Sequence, residues 1–229
     1  MKLNTIKYIL GLSLLSLIVT GCEVFGLDYQ DSYDFDYEAG LANNKVEMSV
    51  YDFIASREDL FSLLKEAIDY AGVEDAFKQN NMTYILPTNP AFNSETSTDL
   101  SYFQTHKLTY FDTELGEEVA YAPISMTAYP KEQVRQFLLY HIVKGEYTFT
   151  NLPADPTWFE TCAEADTARV NLYLLKDRNP NIVFNNFEGH YKSSIKPRTA
   201  NLYSTVNQSY IHVIASWLDR PKRDQIFLK

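Results

Sequence analysis

The chain has 229 residues, of which 30 are acidic and 20 are basic, so its formal net charge at pH 7 is −10. Such a chain lacks the clustered lysine and arginine that neutralise phosphates, which excludes nucleic acid as an expected partner. The length suits one domain with a tail. The only cysteines are Cys22 and Cys162, so no disulfide framework is expected and the fold must rest on its hydrophobic core.

The first 21 residues have the layout of a secretory signal peptide. Lys2 and Lys7 precede an apolar stretch, Tyr8 to Val19, that is shorter than the roughly 20 residues a transmembrane helix needs. The stretch ends in Val-Thr-Gly-Cys22, which resembles the bacterial lipobox, where the cysteine is acylated and becomes the new N-terminus. This pattern predicts lipidation at Cys22 and an anchor in the cell envelope, at the outer membrane, with the face left open. An ordinary signal peptide and an uncleaved anchor are the alternatives.

Residues 22–44 are interpreted as the lipidated cysteine and an acidic tether. Removal of residues 1–21 leaves 208 residues with 18 basic and 30 acidic side chains, a net charge of −12. Like charges along the segment favour an extended chain. Asp31, Asp34 and Asp36 make calcium an alternative, but their spacing lacks the glycine and distal glutamate of an EF-hand loop. No metal and no cofactor are therefore expected.

Residues 45–229 are predicted to form the folded domain, which opens with a helix. Leu60, Leu64 and Ile68 lie on one face at helical spacing. Ser56 is predicted as the N-cap, and Gly72 as the left-handed residue that ends the helix.

A strand over Thr83–Leu86 follows and is stopped by two prolines. Residues 93–128 are polar and irregular and are predicted to leave the compact body. Within them, a strand is predicted at Leu108–Phe111. A second amphipathic helix is expected to run to about Tyr140.

The last third of the domain is predicted to consist of strands. Alternation or β-favouring residues mark Glu146–Thr150, Val170–Leu174, Ile182–Phe184, Tyr203–Val206 and Ile211–Trp217. Helices followed by a run of strands indicate an α+β fold rather than alternating β-α-β units.

Three segments, in this order, resemble the conserved boxes of the fasciclin-like domain family. They are Thr83–Phe92 (Thr-Tyr-Ile-Leu-Pro-Thr-Asn-Pro-Ala-Phe), Phe137–Gly145 (Phe-Leu-Leu-Tyr-His-Ile-Val-Lys-Gly) and Tyr210–Ile214 (Tyr-Ile-His-Val-Ile). Over about residues 46–218 the chain is thus similar to a fasciclin-like domain on a bacterial lipoprotein of the Bacteroidetes type. The resemblance implies helices packed with a small twisted β-sandwich, and adhesion without catalysis.

The chain departs from the family pattern near its last box. Gln208 and Ser209 replace the usual Asn-Gly pair, and Ala215 replaces an aspartate. The segment before Tyr140 is also longer than in the compact family form, so no binding surface is carried over to it.

The resemblance carries over a set of motif residues that we interpret as structural. For the Tyr140–His141 pair the alternative is chemistry, with the histidine as general base and the tyrosine as acid. The set consists of Thr83, Pro87, Thr88, Asn89, Phe92, Tyr140, His141 and His212.

The sequence offers stacking residues but no catalytic signature. Trp158, placed in a loop before Cys162, and Tyr121 are candidates for stacking on a ligand, in a chain with 17 tyrosines and 14 phenylalanines. It contains no nucleophile elbow, no His-Glu-x-x-His helix and no phosphate-cradling glycine loop. Its four histidines lack metal-ligand spacing. Glu160 and Glu164 are expected to raise the pKa of Cys162, which makes a reactive thiolate unexpected.

The leading functional hypothesis is a non-catalytic adhesion or binding module of the cell envelope. Its partners would be an extracellular protein or glycan, with the membrane reached only through the N-terminal lipid. An accessory glycan-capture lipoprotein of an outer-membrane uptake system is the first alternative. A hydrolase with an unrecognised carboxylate pair is the second.

Overall fold

A computed structural model describes residues 44–94, 100–176, 180–188, 190–195 and 201–227. They belong to the compact unit Asn43–Lys229. Cys22 and the acidic tether with Asp31, Asp34 and Asp36 lie outside the described residues, so their roles stay predictions. In the part that is described, no helix has both the length and the apolar character needed to cross a membrane.

The helices lie mainly in the first half of the domain. Two short 3₁₀ segments, Glu74–Lys78 and Met126–Ala128, accompany them. The α-helices are α1 (Val50–Ser56), α2 (Glu58–Ala71), α3 (Asn89–Phe92), α4 (Tyr102–Thr105), α5 (Lys131–Tyr140) and α6 (Arg223–Phe227).

The first long helix begins differently from the sequence prediction. Ser56 is the last residue of α1 and not an N-cap, so that prediction is wrong. Ser49 caps α1, where its hydroxyl accepts a hydrogen bond from the Asp52 amide at 3.1 Å. The N-cap of α2 is Arg57, which makes no side-chain capping bond. Because Val50 is buried, the apolar face of the helical region begins in α1, one helix before α2. Gly72 ends α2 with φ of 69°, as predicted.

The strands form a five-stranded sheet, a four-stranded antiparallel sheet and a two-stranded ribbon. The strands are β1 (Lys45–Val46), β2 (Met82–Pro87), β3 (Leu108–Asp112), β4 (Glu117–Tyr121), β5 (Ile142–Lys144), β6 (Thr157–Glu160), β7 (Arg169–Leu175), β8 (Asn181–Phe184), β9 (Ser193–Ile195), β10 (Leu202–Ser204) and β11 (Ser209–Ile214). The five-stranded sheet has the order β1-β10-β11-β2-β5, in which β11 runs parallel to β2. The four-stranded sheet is β6-β7-β8-β9, and the ribbon is β3-β4.

The five-stranded sheet separates two hydrophobic cores. Successive side chains of a strand point to opposite faces. Tyr84 and Leu86 of β2 therefore pack in the core that the helices cover, while Ile85 packs in the core of the four-stranded sheet. Helices on one face and a second sheet on the other give the α+β class predicted from the sequence.

Two predictions in the middle of the chain are wrong. Glu146–Thr150 is not a strand, because Gly145 turns the chain at φ of 107° and the Thr148 amide bonds to the Asn151 side chain at 2.7 Å. Trp158 does not lie in a loop but in β6, where it pairs with Asn171 of β7. The pairing of Trp158 with Asn171 is not visible in the residues next to Trp158.

The segment 93–128 is only partly an excursion. Tyr102 and Phe103 of α4 and Met126 are buried in the helical core, which the sequence prediction missed. Between them the chain forms the β3–β4 ribbon, which confirms the predicted strand at Leu108–Phe111 and adds its partner.

Candidate functional site

The two motif histidines are buried and held by backbone groups. His141 ends α5, and its Nε2 accepts a hydrogen bond from the Leu218 amide at 3.0 Å. That bond places the proton on Nδ1, which donates to the Phe137 carbonyl at 2.8 Å. His212 of β11 has the opposite tautomer, because its Nδ1 accepts from the Asn201 amide at 3.1 Å and Nε2 donates to Tyr147 at 2.8 Å.

Burial lowers the pKa of both imidazoles to about 4. Desolvation disfavours the charged form, and the hydrogen bonds to carbonyl oxygens offset only part of that effect. Both rings are therefore neutral at pH 7. With both nitrogens occupied, neither ring has a free position from which to accept a substrate proton.

The first motif box joins three parts of the molecule. The Thr83 hydroxyl donates to the Gly145 carbonyl at 2.7 Å, and Thr88 bonds to the Ile214 carbonyl at the end of β11. Pro87 pairs with Ile214, and Phe92 is buried between Phe103 and Phe137 rings.

Asn89 inserts its side chain into the hydrogen-bond ladder of α2. Its Oδ1 accepts from the Leu63 amide at 3.1 Å, and its Nδ2 donates to the Asp59 carbonyl at 3.3 Å. Leu63 and Asp59 are the pair that an unbroken helix would join directly. The insertion accounts for the kink at Phe61, where φ is −126°.

Tyr140 belongs to a buried polar network. Its hydroxyl donates to the Arg169 carbonyl and accepts from Asn185 Nδ2, both at 2.9 Å. Asn185 Oδ1 also accepts a hydrogen bond from the Asn171 amide, and its Nδ2 donates to the Asp219 carbonyl. Burial raises the pKa of Tyr140 well above its usual value. The hydroxyl thus links α5 to β7 directly and to the C-terminal segment through Asn185.

With the motif residues inside, the groups able to meet a ligand lie on the surface. The most conspicuous surface feature is the β3–β4 ribbon (Leu108–Tyr121), whose residues are mostly exposed on both faces. Large apolar side chains concentrate on it and just after it. They are Tyr110, Phe111, Leu115, Tyr121 and Ile124, exposed by 40% to 79%.

The two predicted stacking residues belong to separate aromatic pairs. Tyr121 lies on the ribbon, with its ring 5.9 Å from that of Tyr110. Trp158 lies on β6 and stacks on Phe187 at 5.3 Å, so one face of the indole is already covered.

A small aromatic cleft lies at the start of α4 and the C-terminal segment. It is a cavity of about 200 Å³. The His106 ring stacks on Tyr102 at 4.1 Å and meets the Trp217 ring edge-on at 5.0 Å. Polar groups of Gln133, Gln136, Asp219 and Arg220 complete the lining. The mixture of aromatic, amide and charged groups is suited to a small polar ligand.

Cys162 is not activated in this structure. Burial raises the pKa of the thiol, whereas the nearby Lys144 lowers it by less. The cause differs from the sequence prediction, because Glu160 pairs with Lys144 and Glu164 with Arg135. The thiol stays protonated at neutral pH.

The described residues bring no metal-binding group together. Within them, no set of three or more histidine, cysteine, aspartate or glutamate side chains is placed to hold an ion. His190 instead faces a single carboxylate, with its Nδ1 3.5 Å from Asp219.

Comparisons with known proteins show likeness to solved structures but not to family models or curated proteins. No protein-family model matches the sequence, and no curated protein matches it. Among solved structures, the chain is similar to a FAS1 domain pair from the insect cell adhesion molecule fasciclin I, with a TM-score of 0.48 and 14% identity. The match covers 78% of this chain and 52% of that chain, so the chain spans about half the length of the domain pair.

The sequence interpretation found one strand of the ribbon and named Tyr121, but it missed the paired ribbon and the cleft. The pairing was detectable, because Leu108 and Tyr110 on one side of Gly116 and Val119 and Tyr121 on the other are each spaced by two residues, as on one face of a hairpin. The cleft was not, because His106 and Trp217 are more than a hundred residues apart and only the fold brings their rings together.

Proposed function

We propose that this protein is a non-catalytic binding module of the cell envelope that attaches to an extracellular protein. The observation that carries the proposal is the β3–β4 ribbon, with Tyr110, Phe111 and Tyr121 exposed to solvent. Exposed apolar clusters of this kind mark interaction sites, because burying them against a partner is favourable.

The body of the domain supports this use of the ribbon. His141, His212 and Tyr140 are bound to backbone groups, so the motif residues stabilise the fold and leave recognition to the surface. In the proposed arrangement, lipid on Cys22 holds the chain at the outer membrane and the acidic tether lets the domain reach outward. The lipobox sequence supports the anchor.

Adhesion of whole cells tests the proposal. We expect cells that carry the protein to bind at least one immobilised matrix protein more strongly than cells that lack it. The variant Tyr110→Ser, Phe111→Ser, Tyr121→Ser should lose that difference. The matched control Leu175→Ser, Val206→Ser, Phe227→Ser removes exposed apolar side chains elsewhere and should keep it. Equal adhesion by all four strains across the whole panel would show the proposal to be wrong.

The anchor is tested in the same cells. We expect Cys22→Ser to move the protein from the membrane fraction to the soluble fraction. Protease added to intact cells should degrade the wild-type protein if the domain faces outward. Retention of Cys22→Ser in the membrane would contradict the lipid anchor.

Glycan capture is a second candidate, favoured by the cleft at His106 and Trp217. Sugars bind where aromatic rings lie beside amide and charged groups, and here Gln133 and Arg220 provide such groups at the rim. In calorimetry against a polysaccharide panel, heat lost in His106→Ala and kept in Trp158→Ala would assign a glycan to the cleft. Absence of heat with every member would remove this candidate.

A further inference from the structure

Every charged side chain of the β3–β4 ribbon is acidic. Between Lys107 and Lys131 the sequence has no lysine and no arginine, but it has four carboxylates, on Asp112, Glu114, Glu117 and Glu118. The three glutamates are exposed. The potential at the end of the ribbon is therefore negative, and the field favours a cationic partner.

The acidic groups of the ribbon lie toward its tip, while aromatic rings extend from its base to its middle. Leu108 faces Tyr121 at the base, and Tyr110 faces Val119 in the middle. Phe111 faces Glu118, and Asp112 faces Glu117 next to the turn that holds Glu114 and the exposed Leu115. A partner lying along the ribbon would thus meet mainly aromatic rings toward the base and mainly carboxylates toward the tip.

The ribbon also has edges available for pairing. Among the described residues, β3 and β4 pair only with each other. The outer backbone groups of such strands can pair with an additional strand, which adds main-chain hydrogen bonds to the side-chain contacts. An extended segment about five residues long would match strands of this length.

From these features we propose that the ribbon binds an extended segment of a second protein, with apolar residues at one end and lysine or arginine at the other. The segment adds as a third strand of the ribbon. A second copy of this chain is disfavoured, because its ribbon has no lysine or arginine between Lys107 and Lys131 to pair with the carboxylates. An anionic membrane surface is disfavoured for the same reason. This inference rests on the proposed function and specifies the kind of protein segment that the ribbon binds.

Peptide binding to the purified full chain in detergent tests the inference. The probe is a synthetic nine-residue peptide that alternates valine and threonine in one half and lysine and threonine in the other. The control probe has glutamate in place of lysine. Fluorescence anisotropy gives the affinities, at low and at high sodium chloride concentration. We expect binding of the lysine peptide only, and weaker binding at high salt.

Two variants separate the charge from the apolar surface. Glu114→Gln, Glu117→Gln, Glu118→Gln should weaken binding of the lysine peptide by about tenfold, the effect of losing several exposed charge pairs. Tyr110→Ser, Phe111→Ser, Tyr121→Ser should weaken it at least as much. A matched control neutralises three exposed carboxylates elsewhere and should retain wild-type affinity. It consists of Glu47→Gln, Asp75→Asn and Asp155→Asn.

The outcomes distinguish this inference from the proposed function. Equal affinity for the lysine and glutamate peptides, or none for either, overturns the inference. If the serine variant still abolishes cell adhesion, the proposed function stands with a partner of different chemistry. Self-association in analytical ultracentrifugation that the serine variant removes would assign the ribbon to a second copy. Binding to phosphatidylglycerol vesicles that the same variant removes would assign it to a membrane.

Discussion

His141 and His212 act as hydrogen-bonding links between segments that are far apart in the sequence. His141 joins the end of α5 to Leu218, and His212 joins β11 to Tyr147. A neutral imidazole suits this position, because it donates from one nitrogen and accepts at the other. Lysine or arginine could not do both, and the interior would disfavour their charge.

The depressed pKa of these residues predicts that the protein loses stability in mild acid. An unfolded histidine has a pKa of about 6.5, whereas both residues have a pKa of about 4 in the fold. Between these values the unfolded chain binds more protons, so the free energy of unfolding falls as the pH falls. From pH 7 to pH 5 we expect a loss of about 2 kcal/mol per histidine. Urea unfolding at pH 7, 6 and 5 measures it.

Variants without the imidazole assign this pH dependence to its source. A glutamine has a donor and an acceptor but does not titrate. His141→Gln and His212→Gln should each remove about half of the change between pH 7 and pH 5, and the double variant should remove most of it. If both single variants keep the full change, other groups cause it.

Helix α2 shows how one side chain from another element shapes a helix. The Asn89 amide separates the Leu63 amide from the Asp59 carbonyl and bonds to both. It thereby fixes the short segment after β2 to the middle of α2. The kink at Phe61 follows from this insertion and not from a glycine or proline.

Loss of the Asn89 amide should destabilise the protein. In Asn89→Ala, the Leu63 amide and the Asp59 carbonyl lose their partner, and we expect about 1–2 kcal/mol less stability in urea unfolding. Asn89→Asp keeps the acceptor and should fall between the alanine variant and the wild type. Asn93→Ala removes an exposed asparagine from the same segment and should cost less than about 0.5 kcal/mol. Equal losses for Asn89→Ala and Asn93→Ala would contradict the role of the inserted amide.

The sequence predicts well those elements that depend on local residue patterns, and poorly those that depend on distant partners. The strand at Thr83–Leu86 and the alternating strand at Val170–Leu174 depend on local residue patterns, and the structure confirms both. Gly72 is a local signal as well. By contrast, β6 at Trp158 is a strand because β7 pairs with it.

The candidate site residues also divide into those that a local pattern reveals and those that it does not. The network that joins Tyr140 to Asn185 spans 45 residues, and no local pattern contains it. The motif residues were therefore found from the sequence, while their partners were not. The apolar ribbon residues are visible in the sequence, but their exposure is a property of the whole fold.

At the scale of the molecule, the hydrophobic cores and the surface proposed for recognition are different parts of the chain. The two cores lie on either side of the five-stranded sheet, and Tyr110, Phe111 and Tyr121 belong to neither core. Leu108 is the ribbon residue that packs against the helical core. The ribbon can therefore change without disturbing the body.

Removal of the ribbon should accordingly leave a folded domain. Leu108 and Tyr121 are paired, so their Cα atoms lie about 5 Å apart, and a two-residue Asn-Gly turn can replace residues 109–120. We expect this variant to unfold cooperatively, with a Tm within about 4 °C of the wild type, which corresponds to about 1 kcal/mol. Thermal unfolding followed by circular dichroism measures it, and the adhesion assay should show no binding. Loss of the cooperative transition would mean that the ribbon is part of the folding unit, and the serine variant would then be the sole test of its role in recognition.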